Sequence, residues 1–145
     1  VIAQLKKIRE TTGVYFVVDN LSHLVRTGRL SNASGLVSNL LRIKPVLTFQ
    51  DGKIVAIQKE RTMWRAYAAI KAKLAAEIAA VDYPLRVTIE NGNNPKLQAE
   101  WTADLKASFP DLTIDEGEIG PVVGVHVGEG VMGLIWARDW EKWTI

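Results

Sequence analysis

Cysteine is absent from the 145-residue chain. Disulfides, thiolate metal sites, iron–sulfur clusters and cysteine nucleophiles are therefore excluded, and a reducing compartment is permitted without being proven. An excess of charge of one sign is nearly absent too: 18 basic residues against 16 acidic ones leave a net charge of +2. That balance does not argue for nucleic acid or an anionic membrane surface. Histidine occurs twice, at His23 and His126. A zinc site without cysteine would need both of them plus carboxylates, and their spacing offers no compact ligand motif. No metal or other cofactor is expected. No apolar run approaches the ~20 residues that span a bilayer. The first segment carries Lys6, Lys7 and Arg9 within it rather than ahead of it, which does not suit a signal peptide. Serine catalysis lacks its Gly-x-Ser-x-Gly elbow, and Ser34 sits where a hydroxyl suits the start of a helix.

What is present is an ordinary globular balance, 48% apolar and 23% charged residues, in a length suited to one domain with a core of its own. The chain starts on Val1 rather than Met and enters a helical pattern at once. We read this as a cut made inside a longer protein.

Val1, Leu5 and Ile8 recur at helical spacing up to Gly13, and Val14 to Val18 reads as a buried strand. A short amphipathic helix is expected over Leu21 to Thr27, and another over Ala33 to Leu41. Pro45 to Phe49 and Ile54 to Ile57 flank Asp51-Gly52, a pair that tolerates positive φ at both centres of a tight hairpin turn. Met63, Tyr67, Ile70, Leu74, Ile78 and Val81 mark the longest helix. A strand comes next over Leu85 to Glu90. Asn94-Pro95 then looks like an N-cap with proline in the first turn, and Leu97, Trp101, Leu105 and Phe109 give the next helix its stripe. Leu112 to Ile114, Val122 to Val127 and Met132 to Ala137 read as strands. The order is α-β-α-α-β-β-α-β-α-β-β-β. It predicts a single α/β domain of the α+β type, with a mixed, largely antiparallel sheet covered by helices mainly on one face.

Four local features carry candidate chemistry. Gly128, Gly130 and Gly133 fit Gly-x-Gly-x-x-Gly, but only 12 residues come after them, and they suit a strand rather than the helix that a dinucleotide site requires. These glycines instead mark a tight turn or a close approach. His126 ends the expected strand two residues before that turn. It is either a donor to a ligand carboxylate or a histidine satisfied by a neighbouring carbonyl. Arg26 and Arg29, beside Gly28 and Ser31, form either an anion-binding corner or, as short basic clusters usually do, a solvated turn. Trp136, Trp140 and Trp143 crowd the C-terminal segment and suit either core packing or a binding surface.

Three blocks then resemble, in order and spacing, the second domain of DegV-family proteins, which are bacterial fatty-acid-binding proteins. The first runs from Tyr15 to Leu24, with Gly28-Arg29-Leu30-Ser31 after it. The second is Leu41 to Leu47, with Asp51 to Ile54 after it. The third is Glu118 to Gly130. The resemblance implies a two-domain α/β protein, of which this is the C-terminal domain, with a long-chain fatty acid in a closed tunnel and its carboxylate near the domain boundary. It implies serine and threonine donors from the missing N-terminal domain. From this one it implies the histidine of the family's His-x-Gly-Pro-Gly, which maps onto His126, with Gly128 and Gly130 in the same motif. Some members present the lipid to the catalytic subunit of bacterial fatty acid kinase, and the arginine of the family's Gly-Gly-Arg, implicated in docking, maps onto Arg29, next to Arg26.

Two departures stand out. Thr27 replaces the first glycine of Gly-Gly-Arg, and Glu129 replaces the proline of the histidine motif, where we expect it to point to solvent. The expected protein is a cytoplasmic lipid-binding module rather than an enzyme. Its core and tunnel wall would draw on Leu36, Leu40, Val46 and Leu47. The alternatives are an enzyme domain acting on a phosphorylated substrate at Arg26, Arg29 and the glycine turn, or an interaction domain using the C-terminal tryptophans.

Overall fold

The computed structural model describes residues 1–31, 33–35 and 42–143. Helix α1 (Ile2–Glu10) leads into β1 (Gly13–Val17) and the short α2 (Ser22–Arg26). A 3₁₀ turn over Ala33–Gly35 precedes the hairpin β2 (Val46–Gln50) and β3 (Lys53–Gln58). Then come α3 (Met63–Ala80), β4 (Leu85–Asn91), α4 (Pro95–Ser108), β5 (Thr113–Glu118), α5 (Pro121–Val127) and β6 (Met132–Arg138), with a last 3₁₀ turn over Trp140–Lys142. The helix expected over Ala33 to Leu41 is seen only as that first 3₁₀ turn; Leu36, Leu40 and Leu41 lie outside the described residues. No helix among the described residues is long and apolar enough to cross a membrane.

The six strands form one sheet in the order β3-β2-β1-β6-β4-β5. Of these six strands, β4 and β5 pair in parallel and the other neighbours are antiparallel. The mixed, largely antiparallel sheet is as expected. The hairpin forms as its sequence predicts, with Asp51 at φ 50° and Gly52 at φ 74°. The two long helices are capped differently. The α3 N-terminus is capped by Thr62, whose Oγ1 accepts from the Arg65 N–H at 3.1 Å. Asn94 caps α4 as expected, but without a side-chain hydrogen bond; Asn91 Oδ1 instead accepts from the Asn94 N–H at 2.8 Å.

One expected strand is a helix. The β-branched composition of Val122 to Val127 predicts an extended segment, yet these residues lie in α5. The connection from Glu118 to Met132 explains why. Both ends pair with the same residue, Asn91 of β4, one on each side. They are therefore about two strand spacings apart, ~10 Å. β4 already has both neighbours, so an additional extended segment cannot pair with it. Pro121 supplies a helix-ready φ at the first position, and the segment coils compactly over the sheet face.

Helices lie on both faces of the sheet, the long α3 and α4 on one and the short α2 and α5 on the other, in keeping with helices mainly on one face. Alternation along β1 divides the core: Val17 packs with Tyr67, Ile70 and Leu74 of α3 and Trp101 and Leu105 of α4, whereas Phe16 and Val18 pack with Leu24 of α2 and Val127 of α5. Tyr67 donates to Asp104 at 2.6 Å and Lys71 reaches the same carboxylate at 2.6 Å, tying α3 to α4. Val46 and Leu47 are fully buried core residues.

The C-terminal tryptophans divide between packing roles. Trp136 belongs to the core and stacks on Tyr15 with centroids 5.1 Å apart, over Gly13, where a Cβ would meet its ring at 2.3 Å. Trp140 and Trp143 lie over the guanidinium groups of Arg86 and Arg138, at 4.8 and 4.6 Å. Asp139, with no exposed surface, accepts from Arg86 Nε at 3.2 Å, from Thr113 at 3.0 Å and from the Glu141 N–H at 3.2 Å. Arg86 also bonds Asp115 at 2.7 Å and Glu141.

Candidate functional site

The face carrying α2 and α5 is only partly covered. It holds an open groove of about 510 Å³, within the ~300–1,000 Å³ usual for ligand pockets. Its floor is Val14 and Phe16 of β1, Gly133 and Ile135 of β6, and Glu90 of β4; α5 contributes Val122, Val123, His126 and Val127. Phe49 and Ile54 of the hairpin, together with Arg29, complete the wall. Val122 and Val123 remain 80% and 52% exposed, so the apolar side of α5 has no cover among the described residues.

Arg29 reaches this groove through the local chemistry of the preceding helix. Gly28, at φ 68°, comes after the C-cap Thr27 of α2; the Gly28 N–H donates to Val25 O at 3.1 Å and the Arg29 N–H to Leu24 O at 3.0 Å. This pair of hydrogen bonds ends a helix sharply and needs a left-handed residue at that position. The chain then bridges to β3 at Leu30 and Ile54, which sets Arg29 beside the groove. Thr27 has an ordinary φ of −85°, so its backbone does not require the family's glycine. The Arg29 guanidinium donates to Thr27 O at 2.6 Å. Arg26 is exposed and donates to His23 Nδ1 at 3.1 Å; it does not line the groove.

His126 sits in the last turn of α5 rather than at a strand end. It faces the groove, and its buried Nδ1 has no hydrogen-bond partner among the described residues. No carbonyl among the described residues satisfies that nitrogen. Gly128 (φ 78°) and Gly130 (φ 84°) form the turn after the helix. A Cβ on Gly128 would lie 2.7 Å from the His23 ring, and one on Gly130 would lie 2.9 Å from Asp19 Cβ. Neither glycine lines the groove; both let the turn pack against the β1–α2 segment. Asp19 is held by Lys44 at 2.8 Å. Glu129 is exposed and accepts from Asn93 Nδ2, directed away from the groove.

The groove thus gathers Arg29 and His126, as an enzyme acting at those elements would require. Among the described residues, however, its lining contains no serine, threonine, cysteine or aspartate, and Arg26 stays outside it. Sequence reasoning missed Glu90, because a glutamate at the end of an alternating strand carries no signal of its own. Burial pushes its carboxyl above the usual carboxylate range.

An α/β sheet that leaves an apolar groove open, lined among others by Arg29, Glu90 and His126, has the form of a ligand-binding domain. The chain belongs to the DegV family: the family described as "Uncharacterised protein, DegV family" matches residues 1–139. A DegV domain-containing protein of Listeria innocua is 39% identical over 137 residues, 94% of this chain and 48% of the relative. The crystal structure of DegV, a fatty acid binding protein from Bacillus subtilis, superposes with a TM-score of 0.80 at 35% identity, covering 95% of this chain and 49% of that one. A fatty acid binding DegV family protein from Streptococcus agalactiae gives 0.80 at 32% identity, covering 95% and 48%. The chain spans about half the length of the relatives it matches.

Proposed function

We propose that this chain is the C-terminal half of a two-domain DegV protein that binds a long-chain fatty acid and presents it to a kinase partner. The observation that carries the reading is the apolar groove lined by His126, whose buried Nδ1 has no hydrogen-bond partner among the described residues. An acyl tail gains about 0.8 kcal/mol for each methylene buried in such a groove. Its carboxylate needs only a few donors, of which His126 supplies one and the other half of the protein the rest. The described fatty-acid binding of the Bacillus and Streptococcus relatives supports the ligand class. The exposed arginines Arg26 and Arg29 suit docking of the catalytic subunit of a fatty acid kinase, and the domain itself carries out no reaction.

Mass spectrometry of lipid extracted from the purified full-length protein tests the ligand; preparations that are empty and also refuse added fatty acid overturn it. His126→Ala removes one charge-assisted hydrogen bond, worth about 1.5–3 kcal/mol. Fatty-acid affinity, measured by displacement titration, is expected to fall roughly 10–100-fold. Unchanged affinity removes the head-group role of His126.

A further inference from the structure

The groove is also lined by Glu90, a carboxyl that neither the carboxylate nor the docking role employs. Glu90 lies in a row that crosses the sheet: Phe16 pairs with Gly133, Gly133 with Glu90, and Glu90 with Gly117. The glycines on either side place no side chain next to it. Its carboxyl leans over Gly117, where an added Cβ would come within 2.5 and 2.6 Å of the two oxygens. Among the described residues it has no hydrogen-bond or ion-pair partner. Arg29 and His126 line the same groove, yet neither reaches it. Burial is the only cause that raises its carboxyl, which agrees with a group surrounded by apolar surface and glycine backbone.

We propose that Glu90 determines ligand specificity, by accepting a hydrogen bond from a hydroxyl carried on the acyl chain. This rests on the acyl-groove reading and names the ligand class within it: a hydroxylated long-chain fatty acid. The physical basis is an asymmetry. A plain methylene chain laid across Glu90 strips water from the carboxyl and returns no partner, and an unsatisfied buried acceptor is costly. A hydroxyl at the same depth replaces the lost water. Sites built to hydrogen-bond a hydroxyl discriminate strongly against the analogue that lacks it. Gly133, which lines the groove and pairs with Glu90, sets no side chain beside the carboxyl. A second anionic group there would be repelled, so the ligand's own carboxylate lies toward His126 and Arg29.

The test uses the full-length protein, with stearic acid and its positional series of monohydroxy derivatives as probes in a displacement titration. One isomer, or a few adjacent ones, should bind at least tenfold more tightly than stearic acid, ~1.4 kcal/mol. Glu90→Leu should abolish that preference and tighten binding of stearic acid itself, which also shows that the variant is folded. Glu90→Gln keeps an acceptor oxygen and should retain the preference. If stearic acid binds but no isomer is preferred, or if the preference survives in Glu90→Leu, the assignment of Glu90 is overturned while the acyl groove stands. If no member of the series binds the wild-type protein, both readings fall.

Discussion

Gly130→Val is expected to lower the thermal midpoint by about 6–12 °C, the equivalent of about 3 kcal/mol in a domain of this size. Two costs combine. Valine is forced into φ 84°, a region it rarely adopts, at about 1–3 kcal/mol. Its Cβ also lands 2.9 Å from Asp19 Cβ, and overpacking of this kind costs about 1–3 kcal/mol more. The turn has little freedom to retreat, because the Gly130 N–H donates to Gly92 O at 2.7 Å and Lys44 anchors the Asp19 carboxylate. Gly124→Ala is the contrasting control. It lies within α5 with nothing closer than 4 Å to an added Cβ. Alanine there should stabilise by about 0.4–1 kcal/mol, through the lost freedom of the unfolded chain. A Gly130→Val midpoint within 2 °C of wild type, on the order of 1 kcal/mol or less, would show that the turn is not locked in this way.

Asp139→Ala is expected to cost about 3 kcal/mol in urea denaturation, near the lower end for removing one partner of a buried pair. The figure is low in that range because Arg86 keeps Asp115 and Glu141 as partners. Thr113 and the Glu141 N–H, however, lose their acceptor. The effect should also depend on pH. Burial alone would raise the Asp139 carboxyl, but hydrogen bonds from Thr113, Arg86 and the Glu141 N–H outweigh it and hold the group below the usual carboxylate range. A carboxyl lowered on folding stabilises the protein above its unfolded value, ~3.9, and that contribution disappears as pH falls through the folded value. The stability gap between wild type and Asp139→Asn should therefore be full at pH 6 and shrink as the pH falls below about 4. A gap that is constant across this interval would mean that the carboxylate charge contributes nothing.

The parts of the fold legible in the sequence share one property: their determinants are local. Asp51-Gly52 sets a turn from two adjacent backbone preferences. The stripes of α3 and α4 repeat over several turns, so periodicity alone identifies them and buries Tyr67, Ile70, Leu74, Trp101 and Leu105. The glycine triplet is dismissed as a dinucleotide site because Leu134, Ile135 and Trp136 suit a strand, and they do lie in β6. Arg29 and His126 were legible as candidates because the motifs that carry them are contiguous, and both line the groove.

Helix α5 and Glu90 were not legible, for a common reason. Val122 to Val127 is a strand by composition, and becomes a helix because β4 already has a neighbour on each side and the two ends of the connection lie close together. Glu90 looks like any polar residue on a half-buried strand. Its isolation comes from Gly133 and Gly117, residues distant in the chain that the sheet register sets on either side of it.

The sequence by itself determined the family, the hairpin, the long helices, the candidate residues His126 and Arg29, and the absence of thiol chemistry, because each rests on residue identity or on neighbours a few positions apart. Only the tertiary structure decided that short helices leave a groove open on one sheet face, that His126 stands on a helix, and that Glu90 lies in that groove with no partner among the described residues. Those depend on strand order and register, which bring together groups that no local pattern connects.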